Sequence, residues 1–234
     1  MVDFYTIDLF QILRLNKKGL FNITVNNKLG LIISAIIDLI TLERLDLIEN
    51  KKNNPIIVTN DYELTGNELL DEIYITIREC PKKYTLEEWL NRFNDSYPIY
   101  EQLSIDSLLR REIFNNEPRI KRFIRYLIFI SFILCIPFIA LAFFYFSASV
   151  KPIRYNLMDS NLQNQILNDL DEIIKSSKIP DPNMIGLIIT LKTLSTNILN
   201  PKTQALLVKK FYQLQDYDFN NPSIKLLVDY FIGR

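Results

Sequence analysis

The sequence predicts a mostly α-helical protein with one or two β-hairpins and an apolar stretch that inserts into a membrane. Apolar residues recur at helical spacing along most of the chain, which indicates amphipathic helices. Two short alternating segments are joined by a polar loop, which is typical of a hairpin. The residues Tyr126–Val150 carry no charge, and such a long apolar run is typical of a membrane segment.

The first third of the chain predicts two helices and a hairpin. Apolar periodicity predicts a helix within Asp3–Leu15, and Gly19 ends the basic turn after it. A second helix, Lys28–Leu42, has apolar residues on almost every face and is therefore expected to be buried at the centre of the fold. Asn26 or Asn27 is its expected N-cap. The alternating segments Arg44–Glu49 and Pro55–Thr59 form the predicted hairpin.

The middle of the chain predicts three more helices. Thr85 and Glu88 have the spacing of a capping box at the start of one of them. A short strand is expected at Ile113–Phe114. The predicted helices are Glu68–Cys80, a helix through Trp89 to Phe93, and Pro98–Glu112.

Four helices are predicted after the apolar run. Three of them have Pro at or near the first turn, where its missing N–H costs least. The segments are Asn161–Lys175, Pro182–Leu199, Pro201–Tyr212 and Pro222–Phe231.

Composition excludes several classes of function. The chain has 27 basic and 27 acidic residues, and this zero net charge argues against a nucleic-acid partner. It has no histidine, no glycine-rich phosphate loop and no nucleophile elbow, so we expect no catalytic residues and no enzyme activity. The two cysteines, Cys80 and Cys135, suggest neither a disulfide nor a metal site and favour a reducing compartment. We therefore expect no metal and no cofactor.

The apolar run is the candidate membrane-inserting site. An apolar segment of about 18 residues or more is long enough for a helix to cross a bilayer. The alternative is a buried core helix or a long apolar hairpin inside a soluble oligomer. The residues expected to enter the membrane are Tyr126, Phe129, Phe132, Leu134, Pro137, Phe138, Leu141, Phe143 and Phe144.

Basic residues flank the run on both sides. Positive charge prefers the cytoplasmic side of a membrane, so both ends of the run are expected on that side. Each Lys or Arg near an anionic leaflet contributes about 1 kcal/mol, which predicts a preference for acidic lipids. We call these residues the collar: Arg119, Lys121, Arg122, Arg125, Lys151 and Arg154.

An ordered set of motifs resembles the Golgi phosphoprotein 3 family. The stretch LTGNELLDE (64–72) resembles that family's TGD-x-LLDE signature, with Asn67 in place of Asp. Further resemblances lie in the first helix, in the buried helix and in LLRREIF (108–114). The signature residues, for which a structural role is expected, are Thr65, Gly66, Leu69, Leu70, Asp71 and Glu72, together with Trp89.

The resemblance implies a single, mostly α-helical domain without catalytic activity. Members of that family are peripheral membrane adaptors that bind phosphatidylinositol 4-phosphate and retain glycosyltransferases through their cytosolic tails. The implied partners are therefore membrane lipids, membrane-enzyme tails and further copies of the chain. The implied location is the cytoplasmic face of a membrane, the Golgi in a eukaryote or the plasma membrane in a prokaryote.

The sequence departs from the family at its lipid pocket. The family places a Trp and an Arg around its buried helix, where this chain has Ile23 and Ile32. It places two Arg on a later helix, where this chain has Pro98 and Glu101. The resemblance therefore does not carry the headgroup pocket over.

The resemblance also restricts how the run can insert. It implies that residues 1–118 and 156–234 are two parts of one domain, separated by the membrane-inserting part 119–155. A single span would place those parts on opposite sides of the bilayer, so we expect a re-entrant hairpin that turns at Pro137. Two short helices, strands closed by oligomerisation and one kinked helix are all compatible with the sequence. The alternative function is a bitopic protein with a soluble domain on each side and a structural or signalling role.

Overall fold

The centre of the fold is the apolar helix predicted near residues 28–42, which spans Val25–Thr41 (α2) in the computed structural model. Ile32, Ile36 and Ile40 on this helix are almost completely buried, because neighbours cover it on several sides. Asn26 and Asn27 lie inside its first turn, so the prediction that one of them is the N-cap was wrong.

The structure describes residues 4–16, 19–21, 25–50, 54–61, 63–116, 154–176, 180–194 and 199–233. This part of the chain forms one globular, mostly helical fold with two small sheets, as the sequence predicts. The apolar run and the rest of residues 117–153 lie outside it. No helix among the described residues is both long and apolar enough to cross a membrane.

The helices before the run lie close to their predicted positions. Their ends differ by a few residues, as is usual where caps decide the boundary. Besides α2 they are α1 Thr6–Arg14, α3 Glu68–Arg78, α4 Leu86–Asp95 and α5 Tyr97–Arg110.

The helices after the run also agree with the prediction. The third is followed by a 3₁₀ turn, Leu214–Asp216. The predicted end of the second, 195–198, lies outside the described residues, and Leu199 is not helical. The four helices are α6 Leu162–Lys175, α7 Pro182–Leu194, α8 Pro201–Gln213 and α9 Pro222–Ile232.

Two antiparallel strand pairs complete the fold. The predicted hairpin is confirmed, since β1 (Leu45–Ile48) pairs with β2 (Ile56–Thr59). The predicted strand at Ile113–Phe114 forms as β3 (Phe114–Asn116). Its partner β4 (Tyr155–Leu157) was not predicted, because its three residues carry too short a pattern to recognise and its pairing partners are distant in sequence.

Capping explains where two of the helices begin. The predicted box at α4 is confirmed: the Glu88 carboxylate accepts a hydrogen bond from the Thr85 backbone N–H at 2.8 Å, and the Thr85 hydroxyl accepts one from the Glu88 N–H. The Asn67 side chain caps α3 by accepting from the backbone N–H groups of Leu69 and Leu70. Asn67 therefore performs the capping role that Asp, Asn and Ser share.

Helices from both sides of the apolar run form one core. α7 packs against α1 and α2, so residues after the run cover residues before it. Gly186 on α7 lies at this crossing, where a Cβ atom would stand 2.6 Å from Thr6 Oγ1 and 2.7 Å from Ile37 Cγ2. The close approach of the three helices therefore depends on the absence of a side chain at Gly186.

We predict that Gly186→Ala destabilises the protein. The overlap has an overpacking cost of about 1–3 kcal/mol, which exceeds the gain in helix propensity of at most about 1 kcal/mol. Gly233→Ala is the control, because the nearest atoms to its Cβ would be at 3.6 Å, an ordinary contact. Urea unfolding of both variants in mild detergent, monitored by circular dichroism, measures the difference. Equal midpoints would contradict the close packing of the three helices at Gly186.

Candidate functional site: the root of the apolar run

The segment that contains the apolar run is joined to the described fold at one strand pair. Asn116, the last residue of β3, is paired with Tyr155, the first residue of β4, and Phe114 is paired with Leu157. Residues 117–153, with the whole apolar run, connect these two paired ends. We call β3, β4 and residues 19–21 the root.

Gly19 attaches the root to the N-terminal helix. Its N–H donates to the Asn16 carbonyl at 2.9 Å, which closes the turn after α1, and its own carbonyl accepts from the Tyr155 N–H at 2.8 Å. Its φ of +71° lies in the left-handed region that glycine tolerates best. A Cβ at this position would stand 2.5 Å from the Tyr155 carbonyl oxygen. Both the turn and the strand contact therefore require glycine.

Three aromatic rings pack together inside the root. The Phe21 ring centroid lies 5.4 Å from that of Tyr155 and 5.8 Å from that of Phe114. Phe114 and Tyr155 are almost fully buried. Since the rings come from the turn, β3 and β4, this cluster joins the three parts of the root by apolar contact.

A buried arginine lies beneath the aromatic cluster. Arg14 is fully buried, and its guanidinium lies 5.5 Å from the Phe21 ring centroid. It donates to the Glu101 carboxylate at 2.8 Å and to the Tyr97 hydroxyl at 3.0 Å. Burial raises the pKa of the Tyr97 hydroxyl, and the nearby Arg14 charge partly offsets this increase. The Arg14–Glu101 ion pair joins the end of α1 to the beginning of α5 and neutralises the Arg14 charge inside the protein.

A side chain that follows the apolar run in the sequence caps the end of α1. The Gln163 side-chain amide on α6 donates to the carbonyls of Ile12 and Leu15, at 3.1 and 3.0 Å. Carbonyls in the last turn of a helix lack partners within it, so this side chain satisfies them. Residues after the run therefore fix the helix that supports the root.

The signature residues make a self-contained loop. The Asp71 carboxylate accepts from the N–H and hydroxyl of Thr65, at 2.6 and 2.7 Å, and from the Gly66 N–H. Leu69 and Leu70 are fully buried, and Glu72 is exposed. These contacts shape the start of α3 and place no signature side chain at the root.

Trp89 belongs to an internal aromatic stack. It is almost fully buried, and its ring stacks on Phe93 with the centroids 5.1 Å apart. The Tyr84 ring meets it edge-on at 5.4 Å. This position matches a role in packing.

Of the residues expected to contact the membrane, the structure describes one. Arg154 of the collar is exposed and immediately precedes β4. The other collar residues and all the predicted membrane-inserting residues, Tyr126 to Phe144, lie outside the described residues. The root thus brings one collar residue to the point where the chain returns from the run.

The positions aligned with the family's lipid pocket do not form a described anion site. Ile32 is buried in the core on α2, and the Glu101 carboxylate is used by Arg14. Ile23 lies outside the described residues. In the part of the chain that the structure describes, no three His, Cys, Asp or Glu side chains lie close enough to hold a metal ion.

Sequence reasoning missed the polar residues that organise the root. Arg14 is one case, and Asp38, whose carboxylate accepts from the Thr6 and Ile7 N–H groups at the start of α1, is the other. The available signal was a charged residue among the apolar residues of a buried helix, because such a charge needs a partner. The identity of the partner depends on how α1, α2 and α5 meet, which the sequence does not reveal.

The fold and the root define a mostly helical domain from which one long apolar segment departs and to which it returns. No known family model matches the chain, and no curated protein matches it.

We predict that Gly19→Ala destabilises the protein more than Gly66→Ala does. Both glycines have positive φ, where a Cβ costs about 1–2 kcal/mol. Only at Gly19 would the Cβ also collide with a neighbour, the Tyr155 carbonyl, whereas no atom lies within 4 Å at Gly66. Thermal unfolding of the two variants measures the difference, and an equal loss would show that the Gly19–Tyr155 contact is dispensable.

We also predict that Glu101→Gln lowers the free energy of unfolding by about 3 kcal/mol, because it leaves the buried Arg14 charge without its carboxylate. The control is Glu68→Gln, which breaks the exposed pair with Arg110 and should change stability little. Urea denaturation at neutral pH measures both. Similar losses in the two variants would mean that burial does not matter at Arg14.

Proposed function

We propose that this protein is a non-enzymatic, membrane-associated adaptor anchored by its apolar run. The observation that carries the proposal is the pairing of Asn116 with Tyr155, because it joins both ends of the segment 117–153, which contains the apolar run, to the domain at one place. The 25 uncharged residues of Tyr126–Val150 supply the apolar surface. A segment of this length and apolarity is stable in the hydrocarbon core of a membrane.

The packing of the domain supports insertion from one side. α7 follows the run and packs against α1 and α2, which precede it. A single span would put α7 across the bilayer from its packing partners and would break the β3–β4 pair. The re-entrant hairpin keeps these contacts, and the bitopic alternative loses them.

The length of the run fits partial penetration. Pro137 divides it into arms of 11 and 13 residues, which would be about 16 and about 20 Å long if helical. The hydrocarbon core of a bilayer is about 30 Å thick. Each arm therefore reaches about the middle of the bilayer, and the chain returns to the face from which it entered.

The collar supports a preference for anionic lipids. Its six basic residues flank the run on both sides, and the described member, Arg154, is exposed next to the root. Attraction of about 1 kcal/mol for each residue favours an acidic, cytoplasmic leaflet. We assign lipid selectivity, including binding of phosphatidylinositol 4-phosphate, to this charge, since the positions aligned with the family's pocket carry no basic side chain.

The adaptor role rests on the resemblance to the Golgi phosphoprotein 3 family. The domain would recruit cytosolic tails of membrane proteins, glycosyltransferases in the family's case, while the run holds it at the membrane. The location we propose is the cytoplasmic face of the Golgi in a eukaryote or of the plasma membrane in a prokaryote. The histidine-free sequence supports a binding role over catalysis.

We predict that deleting Ile124–Ile153 yields a folded protein that no longer remains with membranes. The deletion leaves residues 117–123 and Arg154 between the paired ends, enough to close β3 on β4. Fractionation of cell membranes in carbonate measures anchoring, and circular dichroism with thermal unfolding measures folding. A deletion variant that is still carbonate-resistant would refute the anchor.

Two further experiments test the topology of the anchor and the lipid selectivity separately. Epitopes at Met1 and Arg234 should be equally accessible to protease in sealed membranes, whereas a single span protects one of them.

Flotation with phosphatidylcholine vesicles, with and without phosphatidylserine or phosphatidylinositol 4-phosphate at equal charge, tests the collar. Equal gains with both lipids support charge attraction, a gain with the phosphoinositide alone indicates a pocket, and no gain refutes the collar's role. Arg154→Gln should reduce the gain, while Lys209→Gln on α8 should not.

A further inference from the structure

The strand pair of the root has an exposed outer face. Side chains alternate between the two faces of a strand, and residues paired across two strands share a face. Phe114 and Tyr155 are buried and Leu157 is half-buried, so these three side chains make the inner face. The exposed residues that alternate with them, which we call the outer face, are Asn115, Arg154, Asn156 and Met158.

Met158 is the apolar residue of the outer face, and 61% of its surface is exposed. A single exposed apolar side chain is ordinary, so its neighbours decide what it indicates. They are one arginine and two asparagines, with no acidic side chain among them. This combination suits a phospholipid surface, because a guanidinium binds phosphate through two hydrogen bonds and the flexible methionine side chain adapts to irregular apolar surroundings.

The acidic residues next to the outer face in the sequence lie beyond its two ends. Asp159 follows Met158, and its carboxylate accepts a hydrogen bond from the Asn161 N–H at 2.8 Å, beside the first turn of α6. A negative charge is favourable at the start of a helix, so Asp159 has a role within the domain. Glu112 belongs to the turn between α5 and β3. The outer face itself therefore carries a net positive charge from Arg154.

The sequence places the outer face close to the apolar run. Val150, the last residue of the run, precedes Arg154 by four residues, and an extended chain spans at most about 3.6 Å per residue. Arg154 therefore lies within about 14 Å of the end of the run, whatever path the chain takes between them. The headgroup layer is about 5–8 Å thick on each side of a bilayer. With the run in the hydrocarbon core, β4 begins within the headgroups or just outside them.

We propose that the outer face rests on the headgroup layer of the membrane, with the Arg154 guanidinium on lipid phosphate and Met158 among the upper acyl groups. This inference rests on the proposed function, because the run brings the face to the membrane. It adds a lipid contact made by the folded domain itself, and it fixes the orientation of the domain. The β1–β2 hairpin follows α2, which begins four residues after Phe21 of the root, so the hairpin lies at the far end of α2 from the membrane.

Methionine methyl NMR of the full-length protein in lipid nanodiscs tests the proposal. The chain has three methionines, Met1, Met158 and Met184, and Met184 is buried on α7. The probe is a nitroxide on the headgroup of phosphatidylcholine, in discs that also contain phosphatidylserine. The Met158 signal, identified by its absence in Met158→Leu, should lose more than half of its intensity, and the Met184 signal should keep most of its intensity.

Ile48→Met is the matched control, because it adds an exposed methyl group far from the root. Ile48 is 49% exposed on β1, and α2, about 25 Å long, lies between the root and β1. The added methyl signal should keep its intensity with the headgroup nitroxide and lose it with a gadolinium chelate dissolved in the water. Met158 should show the reverse.

Each other outcome contradicts the inference in its own way. An unaffected Met158 signal in protein that co-purifies with the discs would overturn the inference and leave the anchor standing. Protection of Met158 from both agents would indicate a protein surface, such as a second copy of the chain, in place of lipid. Equal losses at Met158 and in Ile48→Met would refute the fixed orientation. Protein that does not associate with the discs would refute the proposed anchor, and the inference with it.

Discussion

The structure depends on one constraint: the two residues that flank the segment 117–153, which contains the apolar run, are paired with each other. Asn116 and Tyr155 are partners in a strand pair of three residues a side, which has few hydrogen bonds of its own. The pair persists because the Gly19 carbonyl accepts from the Tyr155 N–H and because Phe21 packs on both strands. α1 carries that turn, so the geometry of the run's exit depends on how α1 is held.

Buried polar groups hold α1 at both ends. At its beginning, the Asp38 carboxylate accepts from the Thr6 and Ile7 N–H groups. At its end, Arg14 pairs with Glu101 and Gln163 caps the last carbonyls. A buried charge is costly unless it is paired or hydrogen-bonded, so each of these groups tolerates few arrangements of the neighbouring helices. Apolar contacts supply most of the stability, and these polar contacts fix the orientation of α1.

The sequence predicts the elements better than the contacts among them. The helices, the β1–β2 hairpin and the Thr85 capping box follow from periodicity and from residues close together in the chain. β4 was missed because its pairing depends on β3 and Gly19, which are distant in sequence. The same limit applies at the root. The long uncharged run is plain in the sequence, but the partner of Arg14 and the helix end that Asp38 caps are set by tertiary packing.

Asn116 and Tyr155 are already held together by the rest of the fold. A flexible segment between them therefore costs mainly the entropy of closing a loop. That cost grows only with the logarithm of loop length, and lengthening a loop about fourfold adds only about 1 kcal/mol. The apolar run could therefore be accommodated in the fold at small cost to folding. What remains to be explained is its composition, 25 uncharged residues between basic flanks, and the proposed membrane anchor accounts for it.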